Sequence, residues 1–216
     1  MEKLCIVSDF DGTITDRDGL YMFIKSYAKG DWEKIERDWA EGKISSKDCL
    51  IKEFKLVPNL SEQLVAKFIK TINIDINFKK FYNYISDLDI PFYIVSDGVD
   101  YFIEKILAKY NLNGLNIISN HGEFQGKIFK WSFPNDSINC KNNAGTCKCE
   151  IISELRKLYD KIIYIGDGVS DYCVADKADI LFAKQRLLQY CKDKKINCIE
   201  YNDFSDVQNN MQLILN

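Results

Sequence analysis

The sequence predicts an α/β fold: a largely parallel β-sheet flanked by helices, with a helical block inserted after the first strand. Three observations predict it. Short apolar runs end in Asp, Ser or Gly at three separated points. Leu4–Val7 leads to Asp9-Phe10-Asp11-Gly12-Thr13, Ile94-Val95 to Ser96-Asp97-Gly98, and Ile162–Ile165 to Gly166-Asp167-Gly168. Buried parallel strands read as unbroken apolar runs of this kind. Stretches with helical spacing of apolar residues lie between these runs. About eighty residues of such pattern separate the first run from the second, far more than one crossover helix needs.

The elements follow in order. Residues 3–9 form the first strand. Tyr21, Ile24, Tyr27 and Ala28 share a helical face, and Trp32, Ile35, Glu36 and Trp39 continue the spacing up to Gly42. Ser45 caps a helix through Cys49, Leu50 and Phe54 that ends near Pro58. Ser61 caps another, with Leu64, Val65, Phe68, Ile69 and Ile72 on one face. Phe78, Phe81, Ile85 and Leu88 form a stripe that packs on the sheet. The second strand is Phe92–Val95, followed by a helix carrying Val99, Phe102, Ile103, Ile106 and Leu107 and stopping at Asn111–Gly114. Leu115–Ser119 reads as a short strand and Phe124–Phe129 as a hairpin turning at Gly126. His121, the one histidine, reads as a turn residue before Gly122. A helix from Thr146 turns Ile151, Ile152, Leu155 and Leu158 inward, with Lys148 in its first turn, where a cation opposes the helix dipole. Lys161–Ile165 is a strand. Ile180–Phe182 and Ile196–Ile199 read as two more, parted by a helix around Leu187–Cys191, and Asp203 or Ser205 caps a last helix. Lys184 and Arg186 read as surface charges.

The 216 residues suffice for one sizeable α/β domain or a core with a smaller insert. With 46% apolar and 28% charged residues the chain is globular in composition. A net charge of -3 argues against a nucleic-acid surface. No apolar run approaches the roughly 20 residues of a membrane span, and the N-terminal run is too short for a signal peptide. The expectation is a soluble, cytoplasmic protein. Of the eight cysteines, Cys5, Cys173 and Cys191 fall inside predicted elements, where a thiol packs as a small hydrophobe. Cys140, Cys147 and Cys149 cluster in a polar loop but lack the Cys-x2-Cys spacing and the four ligands usual for structural zinc.

The polar strand tips carry the chemistry. Open α/β sheets bind ligands at the carboxyl ends of their strands. Asp9 and Asp11 stand two residues apart at such an end, and side-by-side carboxylates imply a cation or a shared proton. Asp9 is the candidate nucleophile for a phosphoryl group, forming an aspartyl-phosphate. Asp11 is the candidate general acid and base. Asp9, Asp11 and Asp167 are the candidate ligands of Mg²⁺, a hard cation that takes oxygen donors. Ser96, Asp97, Gly98 and Lys148 are candidates for holding the phosphate. Asp171 is placed to orient a metal-bound water or a neighbouring lysine.

These motifs resemble a known family. Asp9-Phe10-Asp11-Gly12-Thr13 resembles the first motif of the haloacid dehalogenase superfamily, Val95-Ser96-Asp97-Gly98 the second, and Gly166-Asp167-Gly168-Val169-Ser170-Asp171 the fourth, with Lys148 suitably placed for the third. The resemblance implies a Rossmann-like core, a Mg²⁺ cofactor and phosphomonoesterase activity. The helical insert looks like the cap of the phosphoserine-phosphatase-like branch. That divides the chain into a core of residues 1–15 and 76–216 and a cap of residues 16–75. Cys147-Lys148 after Phe133-Pro134, and the stretch Tyr164–Lys184, look most like the methionine-salvage phosphatases, which act on a diketo or enol methylthiopentane phosphate. Phosphocholine and phosphoethanolamine phosphatases are similar in the same places. Ser170 stands where phosphoserine phosphatases usually carry Asn. The expected partner is a small phosphorylated metabolite, and the expected assembly a monomer or homodimer. Two further readings share these residues: transfer of the phosphoryl group to a second metabolite, and a non-catalytic phosphate-binding protein on the same fold.

Overall fold

The structure is a computed structural model that describes residues 2–140 and 143–215. Lys141 and Asn142, in the loop between Cys140 and Cys147, lie outside the described residues.

Seven strands form one sheet, β1 (Leu4–Ser8), β2 (Phe92–Val99), β3 (Asn116–Gln125), β4 (Ile128–Ser132), β5 (Lys161–Gly166), β6 (Ile180–Ala183) and β7 (Ile199–Glu200), in the order β4-β3-β2-β1-β5-β6-β7. All neighbours are parallel except β3 and β4, which form a hairpin. The chain runs outward from β1 to β2 and β3, then returns to β5 on the other side of β1. The order therefore switches between β1 and β5, and open α/β sheets place their ligands at such a switch. The apolar runs bury both faces in alternation. Ile6, Ile94, Ile163 and Phe182 face one core, and Val7, Val95, Ile162, Tyr164 and Leu181 face the other. The first core is covered by α5 (Phe78–Asp87), α6 (Asp100–Ala108) and α9 (Phe204–Leu215), the second by α7 (Lys148–Leu155) and α8 (Gln185–Lys194).

Between β1 and α5 the chain forms four helices, α1 (Gly19–Tyr27), α2 (Trp32–Ala40), α3 (Ser46–Lys55) and α4 (Glu62–Ile69). Ser45 and Ser61 cap α3 and α4, each hydroxyl accepting from a backbone amide three residues on. The two connections to this block run side by side: Thr15 bridges Ile74, and Asp75 N donates to Ile14 O at 2.8 Å. The helices are not a separate body. Phe54 of α3 packs its ring 4.8 Å from Trp131 and 5.5 Å from Phe129, both on β4, and Phe23 of α1 lies 5.3 Å from Phe102 of α6. One apolar cluster thus runs from the sheet into the helical block.

Several sequence expectations shift. Tyr21 is exposed on α1, and Phe23 joins the expected Ile24 as a buried residue. Leu88 and Leu158 lie beyond the ends of α5 and α7 and are exposed at 47% and 61%. β2 continues past Val95 to Val99, and its ladder to β3 slips over Ser96-Asp97-Gly98. Such a bulge bends the strand and re-aims its side chains. His121 is no turn residue. It sits inside β3 opposite Ser132, with Nδ1 2.6 Å from Asp100 Oδ2. Gly122 belongs in the strand because a Cβ there would meet Phe129 and Val99 side chains at 2.5 and 2.6 Å. All eight cysteines are free thiols. No helix among the described residues is long and apolar enough to cross a membrane.

Candidate active site

Asp9 follows the last residue of β1, Asp167 the last of β5, and Ser96 lies in the bulge of β2, so three neighbouring strands end at one place. Lys148 reaches it from the first turn of α7. Its side chain is 2% exposed, with Nζ 2.8 Å from Asp9 Oδ2, 2.7 Å from Asp171 Oδ1 and 2.9 Å from Ser170 Oγ. That explains a lysine where the helix dipole disfavours one: two buried carboxylates outweigh the dipole. Burial alone would lower the Lys148 ammonium, but the Asp171 and Asp9 charges hold it well above its ordinary value.

Asp9, Asp167 and Asp171 each offer an oxygen within 4.8 Å of the others. Geometry separates their roles. Asp171 is fully buried and saturated: Oδ1 accepts from Lys148 and from the Tyr164 hydroxyl at 2.6 Å, and Oδ2 accepts from the Asp167 and Gly168 amides at 3.0 Å each. With four donors on two oxygens it has little left for an ion, and it holds Lys148 and the β5 turn in place. Asp9 accepts from the Phe10 amide at 2.7 Å. Asp167 accepts from the Thr13 hydroxyl at 2.6 Å through Oδ1. Its Oδ2 approaches Gly12 where a Cβ would meet it at 2.6 Å, so glycine clears the space, and φ of +77° there also favours glycine. Burial, reinforced by the Asp171 charge, raises Asp9 well above the carboxylate range and Asp167 to about 6. Two buried carboxylates with oxygens this close fit a hard divalent cation, which would offset the burial of their charge.

Asp11 stands outside that group. Its Oδ1 accepts from the Gly19 amide at 2.8 Å, and its Oδ2 faces Gly98, whose absent Cβ would come within 2.8 Å. Burial and then the Asp18 charge raise its pKa. Ser96 Oγ accepts from the Gly98 amide at 3.0 Å, closing the bulge. The Asp97 carboxylate is engaged by the neighbouring loop and strand. It accepts from the Thr146 amide at 2.9 Å and from the Asn120 side chain at 3.2 Å. A carboxylate would repel a phosphate, so its work here is to tie the β2 tip to the loop that carries Lys148.

Sequence reasoning missed four contributors. Thr13 fixes Asp167, Tyr164 fixes Asp171, and Ser170 bridges Lys148 to Asp9, its Oγ lying 3.4 Å from Asp9 Oδ2. Lys184 is not a plain surface charge. Its Nζ donates to Thr13 O at 3.3 Å and lies over the Tyr201 ring, and burial lowers its pKa against the pull of Asp167. A signal existed for Tyr164, the one hydroxyl within the apolar run Ile162–Ile165: a buried tyrosine needs a partner. Arg186 is exposed, as expected.

The comparisons with known proteins agree with this geometry. The family model described as "Putative Phosphatase" matches residues 4–198. The 2-hydroxy-3-keto-5-methylthiopentenyl-1-phosphate phosphatase of Bacillus pumilus is 34% identical over 211 residues, 96% of this chain and 90% of the relative. Its counterpart in Bacillus cereus is 30% identical over 213 residues, 97% of this chain and 96% of that one. Among solved structures, a substrate-bound phosphoserine phosphatase shares the fold with a TM-score of 0.68 at 21% identity, over 96% of this chain and 97% of that one. A haloacid dehalogenase family hydrolase from Salmonella enterica serovar Typhi matches with a TM-score of 0.72 at 19% identity, over 93% of this chain and 68% of that one. The chain belongs to the haloacid dehalogenase superfamily of phosphatases, in the family matched by that model and close to the methionine-salvage phosphatases.

Proposed function

We propose that this phosphatase hydrolyses a small phosphomonoester through an aspartyl-phosphate on Asp9, with Mg²⁺ bound, and that its substrate is 2-hydroxy-3-keto-5-methylthiopentenyl-1-phosphate. The observation that carries the reading is the buried Asp9 at the tip of the central strand, with the Lys148 ammonium at 2.8 Å and Asp167 beside it. The substrate follows from relatives of that activity that match nearly the whole chain.

In the first step a carboxylate oxygen of Asp9 bonds to phosphorus and the bond from phosphorus to the substrate oxygen breaks. Asp11 gives its proton to that oxygen; its raised pKa supports a protonated resting form. In the second step water attacks the same phosphorus, Asp11 takes back a proton, and orthophosphate leaves with Asp9 regenerated. Lys148 faces the phosphoryl oxygens and balances their charge. Asp171 keeps Lys148 ionised and aimed. The Ser96–Gly98 bulge offers the phosphate a hydroxyl and backbone amides. Asp9 and Asp167 would hold Mg²⁺, which when bound screens the repulsion between a carboxylate and an anionic ester. The helical block of residues 16–75 serves as the substrate-selecting cap, and the enzyme works in the cytoplasm as a monomer or homodimer.

The test is phosphate release from this substrate without an added acceptor. Asp9→Asn should abolish it, and chelation should abolish it reversibly, Mg²⁺ restoring the rate. Full turnover by Asp9→Asn would refute the mechanism. Turnover that depends on an acceptor alcohol would point to phosphoryl transfer instead.

A further inference from the structure

The fold gathers thiols that the sequence scatters. Cys140, Cys147 and Cys149 lie in one stretch, and Cys173, 24 residues beyond Cys149, returns to them. Each thiol is in hydrogen-bond contact with the next: Cys140 with Cys147, Cys147 with Cys149, and Cys149 with Cys173. Cys191 and Cys198 make a separate contact. The four sulfurs stand in file and not in a cage. Among the described residues no three of them lie within 4.8 Å of one another, as the active-site aspartates do. A structural metal needs its ligands converged on one point. A file of pairs suits thiol–disulfide chemistry instead.

One pair is tied to the active site through the backbone. Cys149 follows Lys148 in the first turn of α7, and its thiol donates to Cys173 O at 3.3 Å. Cys173 lies in the turn Val169–Val174 that also carries Ser170 and Asp171, and its thiol donates to Ser170 O at 3.7 Å. Lys148 bonds to Ser170 and Asp171 across the same two segments, at 2.9 and 2.7 Å. The thiol contact and the lysine contacts therefore join the same pair of segments. The chemistry of this pair also differs from the others. Cys149 stands at a helix N-terminus, where a thiolate is favoured. The hydrogen bond from Cys173 lowers its pKa against burial, with help from the Lys177 charge. On ionising, Cys149 exchanges the Cys173 carbonyl for the Cys173 thiol as its partner. That bond, with burial, holds Cys173 up, so Cys173 stays protonated. Both are half-buried and open to a small oxidant. Cys147 and Cys191 are buried, and burial raises both.

We propose that Cys149 and Cys173 are a redox modification site: hydrogen peroxide converts them to a disulfide, and the disulfide slows the enzyme by displacing Lys148. The effect on turnover rests on the phosphatase reading above, while the site itself rests on the thiols. In the first step the Cys149 thiolate attacks one peroxide oxygen. A sulfur–oxygen bond forms, the oxygen–oxygen bond breaks, and the leaving hydroxide takes a proton from solvent. Cys149 is oxidised by two electrons to a sulfenic acid, and the peroxide is reduced. In the second step the Cys173 sulfur attacks the Cys149 sulfur. The sulfur–sulfur bond forms, the sulfur–oxygen bond breaks, and hydroxide leaves with the Cys173 proton as water. Two thiols and one hydrogen peroxide thus give one disulfide and two waters. Bonding the sulfurs draws the first turn of α7 onto the turn Val169–Val174. Asp171 is held by the Asp167 and Gly168 amides, so Lys148 is the member that moves. A displacement of about 1 Å in a site of this kind can cost about a hundredfold in rate.

The experiment treats the reduced protein with hydrogen peroxide, maps its disulfides by mass spectrometry and follows hydrolysis of p-nitrophenyl phosphate with Mg²⁺ present. A Cys149–Cys173 link should appear, kcat/KM should fall by about tenfold or more, and dithiothreitol should reverse both. Reduced Cys149→Ser and Cys173→Ser should turn the ester over and should lose the response to peroxide. Either variant carries that comparison if the other does not fold. A link at Cys140–Cys147 or Cys191–Cys198 in its place, a link that leaves measurable turnover unchanged, or inactivation that persists in both serine variants would each overturn the proposal. So would stoichiometric Zn²⁺ in the purified protein that Cys149→Ser removes; the thiols would then be a metal site. Calorimetry with orthophosphate, on reduced and oxidised protein, separates this proposal from the hydrolytic reading. If the ester is not hydrolysed, but the link forms and weakens orthophosphate binding by about tenfold, the mechanism fails and the redox site stands. If the ester is hydrolysed and no link forms, the redox site fails and the mechanism stands.

Discussion

Lys148→Met tests the buried charge arrangement directly. The substitution keeps a side chain of similar length and removes the ammonium that lies 2.8 Å from Asp9 and 2.7 Å from Asp171. Removing one member of a buried ion pair strands the other, at about 3–5 kcal/mol. Asp171 would keep three donors, the Tyr164 hydroxyl and the Asp167 and Gly168 amides, which argues for the lower end. Asp9 would keep only the Phe10 amide and the distant Ser170 hydroxyl. At about 2–4 °C per kcal/mol for a domain of this size, Tm should fall by roughly 6–20 °C. The measurement is thermal and urea denaturation with chelator present, so that no cation replaces the lysine. Adding Asp171→Asn to Lys148→Met removes one stranded charge and should restore part of the loss, a coupling of about 0.5–3 kcal/mol. A single variant that melts within about 2 °C of the wild type would refute the claim that Lys148 neutralises both aspartates, because the smallest cost admitted here exceeds that shift.

Three further outcomes are expected. Gly12→Ala places a Cβ in the left-handed region and 2.6 Å from Asp167 Oδ2; it should destabilise by about 1–2 kcal/mol and cost at least about tenfold in kcat by displacing Asp167, and an unchanged kcat would show that the Asp167 position is not critical. Phe54→Ala removes the ring that joins α3 to Trp131 and Phe129 and should cost about 3–5 kcal/mol in urea denaturation; a cost below about 1 kcal/mol would mean that the helical block is held by other contacts. His121, hydrogen-bonded to Asp100, should titrate by NMR above 6.5, and Asp100→Asn should bring it back toward that value. Because the folded pKa is raised, the pair's stabilisation is full below the unfolded pKa of 6.5 and fades as pH rises through the folded value, so wild type and Asp100→Asn should differ more in stability at pH 5.5 than at pH 8.5. With His121 half exposed, solvent screening keeps that difference small.

The strands and motif positions were legible because a parallel sheet buried on both faces leaves unbroken apolar runs, and because the polar residues that end those runs have nowhere else to sit. The errors share a physical origin. Leu88 and Leu158 continue a helical spacing past the last helical turn, where the chain has already left the packed face. Gly122 reads as a turn but is a packing glycine, with Phe129 and Val99 occupying the place of its side chain. The partners of the Asp97 carboxylate, Asn120 and Thr146, were not legible either, because they lie 23 and 49 residues further along the chain. Local pattern carries no information about partners at such distances.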